Sequence, residues 1–190
     1  DERGFSFMKD GPLDMRMNYE DSSAPTAADL LNTLPEKEIA DIIFNYGEER
    51  YSRRIARNII EARQKKFFKT TFELVEAVKK SVPRKPWHRL HPATKTFQAL
   101  RIAVNDELNA LTESLEKTWR FFLPGSRLVV ISFHSLEDRI VKNFFRDKKK
   151  KGSAEIKTPK PVQPSDEEIL SNPRSASAKM RAGIKINRNN

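Results

Sequence analysis

The chain has 190 residues, of which 37% are hydrophobic and 33% are charged, and its formal net charge at pH 7 is +10. This composition suits one domain or two small ones with a hydrophobic core, and it excludes collagen-like and wholly disordered proteins. Because the chain has no cysteine, disulfides, a thiolate nucleophile and cysteine-bound metal centres are excluded as well. The longest apolar run covers only residues 128–131, and no signal peptide is recognisable, so we expect a cytoplasmic protein without a membrane segment.

The positive charge is concentrated towards the C-terminus. Residues 1–138 hold 22 Lys and Arg against 21 Asp and Glu, a net charge of +1, whereas residues 139–190 hold 14 against 5, a net charge of +9. A concentrated basic segment attracts phosphate groups and steers association with nucleic acid. The lysine run at 148–151 alone is typical of a solvated surface, so the charge indicates nucleic acid only together with further motifs.

The first 25 residues have neither helical nor strand periodicity, which predicts a loop. Residues 4–17 nevertheless contain two phenylalanines and three methionines. Exposed loops rarely carry so many large apolar side chains, so we expect this loop to pack over a pocket or a partner.

Residues 26–86 carry closely spaced helix signals, which predict an all-helical block. Thr26 is suited to cap a helix over 27–34, Pro35 to open the next helix, and Gly47 to end it. A third helix is expected within 48–66. The sequence TTFE at 70–73 is typical of a capping box that opens a fourth helix over 72–82.

After a proline-rich and basic linker at 83–90, apolar residues recur every three or four positions from Phe97 to Phe122. This spacing predicts one helix of about 30 residues. A polar stripe runs beside the apolar one and is expected to line a site. It consists of Thr94, Gln98, Arg101 and Asn105.

The run RLVVISF at 127–133 lies between turn signals and is flanked by helical patterns, which predicts a buried parallel strand in an α/β fold. Ser135 is expected to cap the helix that follows. Residues 147–163 are expected to form a mobile linker, and residues 178–186 a last edge strand. Ligands of open α/β sheets bind at the carboxyl ends of the strands, where Ser132, His134 and Ser135 fall.

Several classes of site are disfavoured by residue spacing. His88 and His91 are three positions apart, but Pro92 disfavours a helix at His91 and no third ligand is near in sequence, so we predict no metal site. The motif Gly-x-Ser-x-Gly is absent, which argues against acyl transfer at Ser132 or Ser135. The six glycines are too dispersed to form a phosphate-binding loop.

Several blocks in the sequence, in this order, resemble the MraW/RsmH family of ribosomal RNA cytosine-N4 methyltransferases. The blocks are residues 4–7 (GFSF), 11–17 (GPLDMRM), 46–49 (YGEE), 91–102 (HPATKTFQALRI), 104–108 (VNDEL), 131–139 (ISFHSLEDR), 164–169 (PSDEEI), 172–174 (NPR) and 177–179 (SAK). Together they extend over essentially the whole chain.

The resemblance implies part of a Rossmann-like methyltransferase that uses S-adenosyl-L-methionine and carries an inserted all-helical domain. Residues 1–25 would be an active-site loop, 26–86 the inserted domain that binds the RNA substrate, and 87–190 the C-terminal part with its basic tail. The implied reaction is methylation of the exocyclic N4 of a cytosine in the decoding region of small-subunit ribosomal RNA. The family's glycine-rich cofactor loop, acidic ribose-binding residue and Asp-Leu-Gly-Val-Ser-Ser stretch would precede residue 1, so cofactor-binding residues are expected upstream.

Within these residues, the implied chemistry requires an apolar wall for a flipped base together with hydrogen-bond donors and acceptors near the reacting amine. The expected substrate-binding residues are Phe5, Phe7, Asp14, Arg16 and Arg101. The expected catalytic residues are Asn105, Ser132 and His134. All of them except Ser132 have a plainer interpretation: packing for the phenylalanines, a loop-pinning ion pair for Asp14 and Arg16, ordinary surface for Arg101 and Asn105, and a structural hydrogen bond for His134.

Two other functions remain open on the sequence alone. One is a non-catalytic RNA- or ribosome-binding module that lacks the methyl-donor site, and the other is a structural helical adaptor. The expected partner is ribosomal RNA or the small ribosomal subunit. The sequence leaves open the methylated nucleotide, a homodimeric state, and whether free RNA or an assembled subunit is the substrate.

Overall fold

The computed structural model of the protein describes residues 3–83 and 91–187. The chain forms two compact units, Asp1–Glu107 (unit 1) and Leu108–Asn190 (unit 2). Unit 1 is built from helices and loops, and unit 2 combines helices with a three-stranded sheet, which confirms the predicted α/β class. None of the helices in these two ranges is long and apolar enough to cross a membrane.

The individual helices of the predicted helical block begin and end largely where the sequence predicts. The helices of unit 1 are α1 (Ala27–Thr33), α2 (Glu36–Gly47), α3 (Ser52–Arg63), α4 (Thr71–Ser81) and α5 (Thr94–Asn105). Thr26 caps α1, because its side chain accepts from the Asp29 N–H and the Asp29 carboxylate accepts from the Thr26 N–H. Before α4, the Thr70 N–H donates to Glu73 Oε2 at 3.1 Å, as expected for the predicted capping box.

The core of unit 1 joins the N-terminal loop to the helices. Leu13 and Met15 are each 1% exposed and pack in one cluster with buried side chains of all five helices. Gly47 allows α2 and α5 to approach closely, since a Cβ at this position would lie 2.5 Å from the Lys95 carbonyl oxygen. The apolar residues of the loop are therefore partly explained by packing on its own unit.

The prediction of one helix of about 30 residues is wrong. The stripe is divided between α5 and a second helix, α6 (Glu107–Phe121). Asp106 separates them in the left-handed conformation, with φ 48°, which a short polar residue tolerates better than most. The apolar residues keep the same spacing on both sides of this break. The spacing reflects which side chains are buried, and a single left-handed residue between two helices does not interrupt it.

Unit 2 is an antiparallel sheet with helices. Its elements after α6 are β1 (Arg127–Ser132), α7 (Ser135–Lys150), β2 (Ala154–Ile156), α8 (Asp166–Ser171), a 3₁₀ turn (Pro173–Ser177) and β3 (Lys179–Lys185). The strand order is β1-β3-β2. Trp119, Phe144 and Phe145 form edge-to-face contacts in the core, and Gly183 makes room for the Phe145 ring, which lies 2.6 Å from where a Cβ would stand.

Two expectations for the strands are wrong. The 127–133 run is neither buried throughout nor parallel to its neighbour in the described sheet, because β1 pairs antiparallel with β3 and its residues alternate between exposed and half-buried up to the buried Ser132. The run 178–186 forms the central strand β3 and not an edge strand. Chain order does not reveal that the last strand inserts between the two earlier ones.

Residues 147–163 are ordered, so the expectation of a mobile linker is also wrong. The helix α7 continues to Lys150, β2 follows, and Val162 forms a bridge with Met180. Lysines in the last turn of a helix interact favourably with its negative end, and a lysine-rich composition therefore does not prevent α7 from continuing.

Candidate functional site

The side chain of Asn105 ties the N-terminal loop to the end of α5. Its Nδ2 donates to the Met15 carbonyl at 2.7 Å and to the Arg101 carbonyl at 2.8 Å, and its Oδ1 accepts from the Met17 N–H at 2.7 Å. Met15 has a left-handed backbone with φ 65°, which a residue of its type rarely adopts. The amide of Asn105 thus holds an unfavourable turn of the loop in place.

Asp14 and Arg16 form a bidentate ion pair within the same turn. Arg16 Nε and Nη2 each donate to the Asp14 carboxylate at 2.8 Å, and Arg16 Nη1 donates to the Asp21 carbonyl at 2.7 Å. The hydrogen bonds from Arg16 hold the pKa of the Asp14 carboxyl below its usual value. Both side chains are largely buried, so the pair fixes the loop and keeps Asp14 ionised.

Phe5 and Phe7 pack against the core of unit 1. Phe7 stacks on the His91 ring with a centroid distance of 4.7 Å and meets Phe97 edge to face at 5.6 Å. Burial lowers the pKa of His91, and the charge of Lys79 lowers it further, so the imidazole is held in its neutral form. The Arg3 guanidinium lies 5.3 Å from the centre of the Phe5 ring.

The polar stripe of α5 is used for contacts within unit 1. Arg101 donates to both carboxylate oxygens of Glu107, at 2.8 and 2.9 Å, and Gln98 donates to the Tyr46 carbonyl at 3.0 Å. The Arg101 side chain remains 37% exposed. The Arg101 guanidinium therefore lies partly at the surface, near Asn105 and the loop.

Ser132 and His134 lie in unit 2, where β1 ends and α7 begins. Ser132 is 3% exposed, and its hydroxyl donates to the Lys179 carbonyl at 3.3 Å. The Glu137 N–H donates to His134 Nδ1 at 3.4 Å, and Glu137 accepts in return from the Phe133 and His134 N–H groups. The residue that caps α7 is therefore His134, and the expectation that Ser135 caps it is wrong.

Six of the eight predicted site residues occur together on the loop and α5 of unit 1: Phe5, Phe7, Asp14, Arg16, Arg101 and Asn105. The other two, Ser132 and His134, are in unit 2. His88 lies outside the described residues.

Three residues that organise these groups were missed from the sequence. Glu107 anchors Arg101, Glu137 completes the cap at His134, and Met15 carries the strained turn. The position of Glu137 three residues after His134 is the acidic half of a capping box, and this signal was available. Histidine is an unusual cap residue, so the capping box at His134 was not recognised from the sequence.

The described glycines with positive φ do not form a glycine-rich cofactor loop. Their three glycines with positive φ are Gly4, Gly125 and Gly152, each in a separate turn. Two of these three have no atom within 4 Å of an added Cβ, so the space beside them is open. No contact with a methyl donor is therefore assigned to these residues.

Comparison with known proteins places the chain in a family. The sequence model of the MraW methylase family matches residues 1–186. A protein of Kosmotoga olearia named "Ribosomal RNA small subunit methyltransferase H" is 54% identical over 187 residues, which cover 97% of this chain and 61% of that protein. A protein of the same name from Carboxydothermus hydrogenoformans is 49% identical over 199 residues, covering 97% of this chain and 63% of that protein. The chain spans about three fifths of the length of these relatives, and it belongs to the MraW methylase family.

Proposed function

We propose that the protein transfers a methyl group from S-adenosyl-L-methionine to the exocyclic N4 of a cytosine in small-subunit ribosomal RNA. The observation that carries the proposal is the identity of about half of all residues, over 97% of the chain, with proteins named for small-subunit ribosomal RNA methylation. The net charge of +9 in residues 139–190 also favours an RNA substrate, because a concentrated basic segment attracts the phosphate groups of nucleic acid.

The chemistry of this reaction explains why the loop is held so firmly. The lone pair of an exocyclic amine is delocalised into the cytosine ring, so the amine is a weak nucleophile and its orientation towards the methyl group is decisive. The base must also leave its stack to be reached. The ion pair of Asp14 with Arg16 and the two hydrogen bonds between Asn105 and the loop fix the loop before substrate arrives.

We assign roles to the unit 1 residues on this basis: the two phenylalanines and Arg101 bind substrate, and the other three position the loop. Phe5 and Phe7 would form an apolar wall that is already packed from behind, which lowers the cost of ordering it around a base. Arg101, being part exposed, would contact RNA, while Asp14 and Arg16 would position the loop. Asn105 would act through the loop.

Ser132 and His134 are proposed to supply polar groups near the reacting amine. Ser132 ends β1 and His134 caps α7, so one strand-to-helix turn carries both polar groups. The cap contacts of His134 with Glu137 fix the imidazole against rotation.

The helical block at 26–86 is proposed as an RNA-binding insertion. Its helix α3 carries Arg53, Arg54 and Arg57, all exposed, while Ile55 and Ile59 are buried. A cationic face opposite an apolar one is suited to contact phosphates without loss of core packing. We also propose that the protein is cytoplasmic and forms a homodimer.

The proposal is tested with the natural gene product that contains these residues. Purified small and large ribosomal subunits from cells that lack this activity are incubated with S-adenosyl-L-methionine carrying a tritiated methyl group. We expect label in small-subunit RNA only, and a lower single-turnover rate for Asn105→Ala and His134→Ala with the fold intact. Binding of RNA without any transfer would support a non-catalytic RNA-binding module instead. Unchanged rates would show that neither Asn105 nor His134 supports the reaction.

A further inference from the structure

Unit 2 contains a basic groove of about 480 Å³ whose lining includes none of the site residues named above. Four cations line it: Arg120 from α6, Lys148 and Lys151 from the end of α7, and Lys185 from the end of β3. No acidic side chain is among the described residues that line it. A groove that gathers cations from three separate elements is a surface with a persistent positive potential.

The groove lies at the opposite end of β1 from Ser132. Pro124 contributes to its lining, and the Lys185 N–H donates to the Ser126 carbonyl at 2.9 Å just before the strand begins. Six residues of extended strand separate the two ends, which is a distance of about 20 Å. The basic groove is therefore separate from the polar groups at the end of β1.

Two of the four cations are held in place and two are available. Lys148 Nζ lies 2.6 Å from a Glu116 carboxylate oxygen, and Lys185 Nζ donates to the Trp119 carbonyl at 2.8 Å. Arg120 and Lys151 are exposed and form no ion pair with any acidic group of the described residues. These two side chains can bind an anion without first breaking a contact.

An exposed aromatic side chain lies next to the groove in sequence. Phe121, which follows Arg120, is 85% exposed, and Leu123 is 74% exposed. Single-stranded nucleic acid is typically bound by a cationic groove along the backbone and by aromatic rings on which bases stack. Small anions would use the cations but gain nothing from Phe121.

Given the function proposed above, we propose that this groove binds the phosphate backbone of the RNA substrate, with Arg120 and Lys151 contacting phosphates and Phe121 stacking on an adjacent base. The contact is independent of base identity, because phosphate and a stacking ring carry no sequence information. It adds affinity at a distance from the methylated cytosine and so restricts how the RNA lies on unit 2.

The test compares two double variants of the natural gene product that contains this chain. Arg120→Ala with Lys151→Ala removes the two available cations. Lys117→Ala with Lys157→Ala removes the same charge from exposed lysines that pair with Glu113 and Glu155 and do not line the groove.

Binding of a fluorescent single-stranded RNA from the small subunit is measured by anisotropy over a range of salt concentrations. For the groove variant, we expect the slope of log affinity against log salt to become shallower by about 1.4, with a similar loss for RNA of unrelated sequence. The control variant keeps the slope of the unmodified protein. Arg120→Lys with Lys151→Arg, which preserves both charges, restores it, and equal slopes for the groove and control variants would overturn the proposal.

Two further measurements separate the alternatives. Phe121→Ala is expected to weaken RNA binding without altering the salt slope, and unchanged affinity would overturn the stacking contact. Vesicles containing phosphatidylserine test a membrane surface: a groove variant that loses vesicle binding but keeps RNA binding would overturn the proposal in favour of a lipid. Failure of the methylation reaction is distinguishable, because an unmodified protein without transfer activity would still show the groove-dependent slope.

Discussion

Replacing Asn105 by alanine is expected to release the N-terminal loop from α5. The substitution removes both hydrogen bonds from this side chain to the loop, at 2.7 Å each. It leaves the carbonyl of Met15, a residue that is 1% exposed, without its donor, whereas water can replace the partner of the exposed Met17 N–H. An unsatisfied buried acceptor costs about 1–3 kcal/mol, so we expect the loop to be destabilised by about 2 kcal/mol.

Hydrogen–deuterium exchange followed by mass spectrometry measures this effect locally. A loss of about 2 kcal/mol corresponds to roughly 30-fold faster exchange in the peptide that contains Met15 and Met17. Gln98→Ala is the matched control, because it removes one hydrogen bond from the same helix, to the Tyr46 carbonyl, without touching the loop.

A second variant separates the two hydrogen bonds. Asn105→Asp keeps an acceptor for the Met17 N–H but places a carboxylate against the Met15 carbonyl. We expect it to be at least as destabilising as Asn105→Ala, because it loses the donor and adds repulsion. Exchange at residues 13–17 that is equal in the unmodified protein and in both variants would show that Asn105 does not hold the loop.

Three further results are expected from the described contacts. Gly47→Ala should lower the midpoint of thermal unfolding, because its Cβ would lie 2.5 Å from the Lys95 carbonyl; an unchanged midpoint would contradict this packing. The hydrogen bonds from Arg16 lower the pKa of Asp14, so this pair stabilises the fold above about pH 4 and is lost as pH falls through the lowered pKa. Denaturant titrations should show less acid sensitivity in Arg16→Gln; equal sensitivity would argue against the pair. Burial lowers the pKa of His91, so the neutral imidazole contributes its full stability above about pH 6.5 and less stability below that pH. His91→Phe should remove this pH dependence from the denaturant titrations.

The sequence predicts local structure well where side chains act on their own backbone. Thr26 and Gly47 lie within one residue of the helix ends that they were expected to mark. Such signals depend on hydrogen bonds and backbone angles within a few residues, so they survive folding unchanged.

The pairing of strands that are distant in sequence could not be predicted from such local signals. The central position of β3 depends on which edges meet in space, and the break at Asp106 depends on one backbone angle that the apolar spacing does not record. For the candidate site, the residue types on the loop and α5 were found from the sequence. Their mutual contacts, such as those of Asn105 with residues about 90 positions away, required the structure.

The most direct test of the account is the identity of the methylated atom. The natural gene product that contains this chain is incubated with small-subunit particles and S-adenosyl-L-methionine whose methyl group carries three deuterium atoms. The ribosomal RNA is then digested to nucleosides and analysed by mass spectrometry against synthetic standards. We expect deuterated N4-methylcytidine, and label on a base carbon, on ribose or on another base would show that the proposed reaction is wrong.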